Sequence, residues 1–247
     1  MAETFNQQND RENVEKTEVN YDEIDRVFGN LPEVRAGDNV WQNKFHEFDV
    51  LKHTRVFVDR VKEITNDPEI IVAGWLHDIG KPVVATPKRD KNSNQLFHKS
   101  GKPYHEFTGH EVKGAEMVMA LNPKIFEDFD LDQKKIAALV AVHALPMNGI
   151  KEIRKTSNMN DFKAQYDILK HKIENSIETT DLAPVSKGEI MSMFLADKLG
   201  QGDPEKFVTD QKELFAIRDA LLAEGPEEEK ILQNIYNIQK EMYGNKE

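Results

Sequence analysis

Cysteine is absent from all 247 residues, which excludes disulfide staples, zinc–thiolate sites and thiol nucleophiles. Positive charge is the scarcer sign: 33 Lys and Arg stand against 44 Asp and Glu, for a net charge of −11. General affinity for nucleic acid needs a basic surface that displaces counterions, and this balance argues against it. A local basic pocket, or a bound cation, would escape that tally. Long hydrophobic runs are also lacking: no apolar stretch reads as long enough to cross a bilayer. The opening Met-Ala-Glu-Thr-Phe-Asn-Gln-Gln has no secretory pattern. The expectation is a soluble, acidic, cytoplasmic protein with no membrane partner. Its length suits one sizeable domain with a proper core, or one domain plus appendages.

Strand alternation, internal repeats and long linkers are missing as well, and what remains is helical punctuation. Residues 1–20 are rich in Asn, Gln, Glu and Asp without apolar periodicity, and read as a disordered tail. Val50 to Ile64 sets Leu51, Phe57 or Val58, Val61 and Ile64 at helical spacing, with His53 near its start. The next helix takes Asp67 as cap and Pro68 as first residue and stops at Gly80 and Pro82. Residues 85–107 are polar and turn-rich, a loop long enough to suggest a function. Thr108-Gly-His-Glu111 reads as a capping box that starts a helix running to about Leu121, ended by Asn122-Pro123. Asp132 caps a helix closed by Pro146, on which Ile136, Leu139, Val140 and His143 share a face. Residues 161–179 form a more charged helix. Ser186-Lys-Gly-Glu189 is a second capping box, followed by Ile190, Met193, Phe194 and Asp197 on one stripe before Gly200. Asp203-Pro204 opens a helix to Leu222, Gly225-Pro226 breaks it, and residues 227–243 make the last. Three parts result: the tail 1–20, a helical domain 21–202, and C-terminal helices 203–247. The apolar positions of those last helices, from Phe207 to Ile235, read as covering the bundle; a dimer seam is the alternative.

The polar residues on apolar faces carry the chemistry. His77-Asp78, within Trp75-Leu-His-Asp-Ile-Gly-Lys-Pro82, sets an imidazole beside a carboxylate at the end of an apolar helix. Taken singly, each other histidine reads as a hydrogen-bonded core residue. Jointly, His53, His143 and Asp197 occupy or adjoin apolar helix faces, where an unpartnered polar group is costly. A shared metal inside the bundle satisfies them together. Asp197, in Met-Ser-Met-Phe-Leu-Ala-Asp197, is the sharpest case, because an acid there needs a cation. Lys81 follows the Gly80 turn and supplies a point positive charge beside the pair. Lys88, Arg89, Lys91, Lys99 and Lys102 make the 85–107 loop basic, either as a phosphate-attracting lid or as an ordinary solvated loop.

The order His53, His77-Asp78, Asp197 resembles the HD-domain superfamily of metal-dependent phosphohydrolases. His-Asp-Ile-Gly-Lys-Pro, Phe107-Thr-Gly-His-Glu-Val-Lys-Gly-Ala115, Val140-Ala-Val-His143 and Ala196-Asp-Lys-Leu-Gly-Gln-Gly202 are similar to the HD domain of bacterial tRNA nucleotidyltransferases over roughly residues 50–202. The nucleotidyltransferase's own catalytic domain has no counterpart, so a stand-alone hydrolase is expected. The resemblance implies an all-α helical bundle with the metal site in its core. It implies that His53, His77, Asp78 and Asp197 hold a principal metal, with Asp78 bridging to a second ion held by His110 and His143. Asp78 and Lys81 are then the catalytic residues, with Lys81 against substrate phosphate.

Histidine and carboxylate ligands without thiolate suit one or two divalent ions among Mn, Fe, Ni, Co and Mg. Such ions activate water for in-line attack on phosphorus. The expected substrate is a nucleotide or small phosphodiester, such as a 2′,3′-cyclic phosphate, with an RNA end as a variant. His105, or His98, is the loop histidine placed to reach substrate or leaving group, with a surface role as the plainer alternative. Two further readings share the ligand order: a di-iron oxygenase, and a scaffold in which metal only stabilises the bundle.

Overall fold

Apolar residues at helical spacing, broken by prolines and side-chain caps, set the element boundaries. The computed structural model describes residues 19–43, 46–98, 100–178, 182–202 and 208–243. Helices α1 (Tyr21–Phe28) and α2 (Pro32–Arg35) precede α3 (Val50–Ile64) and α4 (Pro68–Leu76). The short α5 (Lys81–Val84) follows, then β1 (Thr86–Pro87) and β2 (His105–Glu106). Next come α6 (His110–Ala120), α7 (Lys124–Glu127), α8 (Gln133–Val142), α9 (Pro146–Ile153) and α10 (Met159–Glu178). The chain ends with α11 (Lys187–Leu199), α12 (Val208–Leu222) and α13 (Pro226–Tyr243). The all-α architecture is as expected. The proposed tail through residue 18, the Asp203-Pro204 helix start, Phe207 and Lys99 lie outside the described residues.

The axis of the bundle is α4. Every residue from Ile70 to Leu76 is buried, so this helix is apolar all round rather than striped. It packs against α1, α3, α8 and α11. α3 begins where Asp49 caps it, accepting a hydrogen bond from the Lys52 amide at 2.8 Å. Its buried stripe of Val50, Leu51, His53, Thr54, Phe57, Val58 and Val61 faces that axis and carries His53 inward. α11 starts with the reciprocal Ser186–Glu189 capping box read from the sequence. The helix is buried at Ile190, Met191, Met193, Phe194, Leu195, Ala196 and Asp197. Each such Ile, Leu or Phe removed from water contributes roughly 1.5–3 kcal/mol.

Several local expectations are corrected. The helix capped by Asp67 ends at Leu76, and His77-Asp78 lie in the turn that follows. Pro82 does not stop that helix; it occupies the first turn of α5, where a missing N–H costs nothing. Thr108 makes no capping bond: the N-cap of α6 is Gly109 at φ 78°, a left-handed position that suits glycine. Pro123 and Pro146 are helix starts as much as stops, opening α7 and α9 by the same logic. The polar stretch 85–107 is a β arm, with β1 and β2 antiparallel and bridges at Arg89–Gln95 and Phe97–Pro103. One stretch, Gln133–Ile153, is in fact long and apolar enough to cross a membrane by length and composition. It is 61% buried within the bundle, as a core helix is.

Helices α12 and α13 pack on each other, α12 against α11 and α13 against α10. A buried carboxylate, Glu213 of α12, pins them: Arg154 pairs with it, donating from Nε at 2.9 Å, and Gln239 of α13 donates at 2.7 Å.

Gly80 lets the site close. A Cβ at Gly80 would meet the His110 carbonyl oxygen at 2.3 Å and the Gly114 amide nitrogen at 2.7 Å. Both obstacles are backbone, so the start of α6 approaches the His77-Asp78 turn only because residue 80 has no side chain. Gly80→Ala should therefore cost about 1–3 kcal/mol of stability through overpacking. At roughly 2–4 °C per kcal/mol for a chain this size, calorimetry should register the fall in Tm.

Candidate metal centre

Four imidazoles meet around one carboxylate. His53 comes from the buried face of α3, His77 and Asp78 from the turn after α4, His110 from the first position of α6, and His143 from the C-cap of α8. Asp197 reaches in from α11. Sequence separations of up to 144 residues are thereby reduced to hydrogen-bond distances.

Each of the four rings is held the same way. His77, His110 and His143 direct Nδ1 at the carbonyl three residues back, those of Gly74, Phe107 and Val140, each at 2.8 Å. His53 directs Nδ1 at the Gly200 carbonyl at 3.0 Å. A carbonyl only accepts, so Nδ1 carries the proton in every case. Nε2 is then left with its lone pair, the tautomer that a metal requires. Phe57 stacks on His77 at 4.0 Å between ring centroids and fixes the plane of that ring.

The Nε2 atoms converge on Asp78. Its Oδ2 lies 3.1 Å from His77 Nε2 and 3.7 Å from His53 Nε2. Its Oδ1 lies 3.5 Å from His110 Nε2 and 3.9 Å from His143 Nε2. One carboxylate oxygen thus faces each pair of imidazoles. Asp78 is 1% exposed, and neither oxygen accepts a hydrogen bond. Lys81 Nζ stands 2.7 Å from Oδ2 as an ion pair. Asp197 Oδ1 is 3.0 Å from His53 Nε2, and the Nε2 atoms of His53 and His77 are 3.3 Å apart. Lone pairs and carboxylate oxygens brought this close repel one another unless cations lie between them.

The titration directions agree. Burial pulls His77 down, and brings His110 down to about 4, so both rings are neutral near pH 7. Burial alone would raise Asp78, but the positive charge of Lys81 beside it holds it well below the usual carboxylate range. Burial likewise opposes ionisation of Asp197, and nearby positive charge from Lys198 and Lys81 helps hold it well below the usual carboxylate range. Neutral imidazoles with ionised carboxylates make the donor set that divalent ions take, and the residues present fit such ions.

Ligand atoms of His53, His77 and Asp78 lie within 4.8 Å of one another, as do those of Asp78, His110 and His143. Asp197 groups at that distance with His53 and with His46, a residue the sequence reading passed over. His46 precedes the Asp49 cap, outside any periodic stretch, so no helix face pointed to it.

A cleft of about 370 Å³ opens onto the centre, lined among others by Gln42, His46, Lys81, Phe107, His110, His143 and Asp197. Lys81 is 6% exposed, and its Nζ also donates to Gln42 Oε1 at 2.7 Å. His105 sits on β2 with Nδ1 2.8 Å from the Trp41 carbonyl, and His98 stacks on the Trp41 ring. Neither is among the residues lining this cleft. Of the basic arm, Lys88 pairs with Glu106 and Arg89 donates to the Ser93 carbonyl.

Loss of metal should leave Asp78 unsatisfied and the fold weaker. A ligand at a hundred times its Kd stabilises by about 2.7 kcal/mol, and the chain converts that to roughly 5–10 °C. Chelation should lower the Tm of the wild type by that amount and leave Asp78→Ala unmoved, a difference that paired melting curves will read.

The model of the HD domain family matches residues 46–182, more than half of the chain. A curated relative, the A-adding tRNA nucleotidyltransferase of Deinococcus radiodurans, is 29% identical over 119 residues, 47% of this chain. The chain spans only 25% of that relative's length. No solved structure matches. With the His-Asp pair at the focus of a helical bundle and the family match running through it, the chain belongs to the HD-domain family.

Proposed function

We propose that this chain is a metal-dependent phosphohydrolase acting on a nucleotide or small phosphodiester, such as a 2′,3′-cyclic phosphate. The observation that carries the reading is Asp78: buried, ionised, without a hydrogen bond, and facing two pairs of imidazoles. His53, His77, Asp78 and Asp197 would hold one divalent ion, and Asp78, His110 and His143 a second. Bound there, such ions lower the pKa of water and neutralise phosphoryl charge. The chain supplies the rest. Lys81, steadied by Gln42 at the wall of the cleft, offers a cation to a phosphoryl oxygen in a poorly hydrated place, where the attraction is strong. Phe107 borders the same cleft and screens Lys81 from solvent, its ring centroid 5.5 Å from Nζ. The acidic surface favours a small substrate over a long polyanion, and the tRNA enzyme among its relatives keeps an RNA end bearing a cyclic phosphate within the class.

The test is turnover of bis-(p-nitrophenyl) phosphate, 2′,3′-cyclic AMP and nucleoside triphosphates with added manganese. Wild type should hydrolyse at least one, and Asp78→Ala none. Lys81→Met should keep its metal while losing on the order of 10²-fold in kcat, as when one charge-stabilising donor is removed. A metal-loaded wild type inert on the whole panel would overturn the reading, and iron content with oxygen uptake would be measured next.

A further inference from the structure

We propose that His46 is a fifth imidazole ligand of the metal centre, acting with His53 and Asp197 on the side that faces the cleft. The inference rests on the metal-centre reading above and adds a ligand to it. Ligand atoms of His46, His53 and Asp197 lie within 4.8 Å of one another, a spacing like that of the two triads built on Asp78. His53 is common to this group and to the group of His77 and Asp78, so its neighbours on either side address one place. The His46 ring meets the His53 ring edge-on, with centroids 5.2 Å apart and planes at 88°. His46 Nδ1 stands 3.3 Å from Asn43 Oδ1. That oxygen takes the part the backbone carbonyls take for the other four histidines, and it leaves Nε2 for an ion.

The segment carrying His46 is held where such a role requires it. The Glu47 amide donates to the Gln201 carbonyl at 2.9 Å, tying residues 46–47 to the chain just beyond α11, the helix of Asp197. Gly202 admits the contact, since a Cβ there would meet the Glu47 side chain at 2.9 Å. The Gly200 carbonyl that orients His53 lies in the same short stretch. One turn therefore positions His53 and His46 together, with Asp197 one helical turn upstream. His46 also lines the cleft beside Lys81 and His110.

An added imidazole has a chemical consequence. Nitrogen ligands suit iron, cobalt and nickel, whereas carboxylate and water suit magnesium. With His46 in place the site should prefer the former ions and discriminate against magnesium.

Cobalt(II) is the probe, titrated into the metal-free full chain and followed by visible absorption and equilibrium dialysis. His46→Phe keeps the ring and its edge contact with His53 but has no ligand atom. It should bind cobalt at least ~10-fold more weakly, with an altered visible band and a smaller preference over magnesium. Wild-type affinity and spectrum in His46→Phe would overturn the inference and leave the metal centre standing. A wild type that binds no cobalt would overturn both. If the metal-free phenylalanine variant melts abnormally, His46→Gly with added imidazole decides: recovery of the wild-type band supports ligation, and no recovery overturns it.

Discussion

Asp78 carries a negative charge to a place that water barely reaches, and the bundle is arranged around that fact. A carboxylate moved out of water costs several kcal/mol unless cations compensate it. Here Lys81 supplies one cation directly, and four imidazoles turn their Nε2 lone pairs toward the same two oxygens. Those lone pairs cannot themselves neutralise a carboxylate. The arrangement makes chemical sense as a container for divalent charge, with the carboxylate shared between two halves.

Holding such a container open demands a rigid frame, because mutually repelling donors spread if their supports give way. The frame is α4, buried on all sides, with α3, α8 and α11 against it and α6 packed on α8. Backbone carbonyls, rather than other side chains, orient four of the rings, so ring direction is inherited from helix geometry. Gly80 then permits an approach of α6 that a side chain would block, and Gly114 eases the packing of α6 on α8, where a Cβ would stand 3.0 Å from a Val140 methyl. Ligand placement in this protein is a packing problem before it is a coordination problem.

Much of this was readable from residue order. His53, His143 and Asp197 stand out as polar groups on apolar faces that need partners, His77-Asp78 as an imidazole beside a carboxylate, and the structure brings them together with His110. Helix starts with a polar cap, at Asp67, Asp132 and Ser186, follow from local chemistry and stand where the side-chain bonds place them. What periodicity could not supply lies between helices. The β arm carries no alternating apolar pattern, since it is exposed, and its pairing is made by backbone bonds such as Lys88 to Tyr104. Gln42 and His46 lie in irregular chain, where no face exists to be polar on.

By itself the sequence determined the element type along most of the chain, the absence of thiol chemistry, and a set of residues that cannot be buried without a cation. Those are consequences of composition and of periods of a few residues, which local physics enforces. Only the tertiary structure decided that one oxygen of Asp78 faces His53 and His77 while the other faces His110 and His143. It alone placed His46 beside Asp197 and tied Lys81 to Gln42. Such relations depend on how helices distant in sequence pack within a few tenths of an ångström, and no local rule encodes that distance.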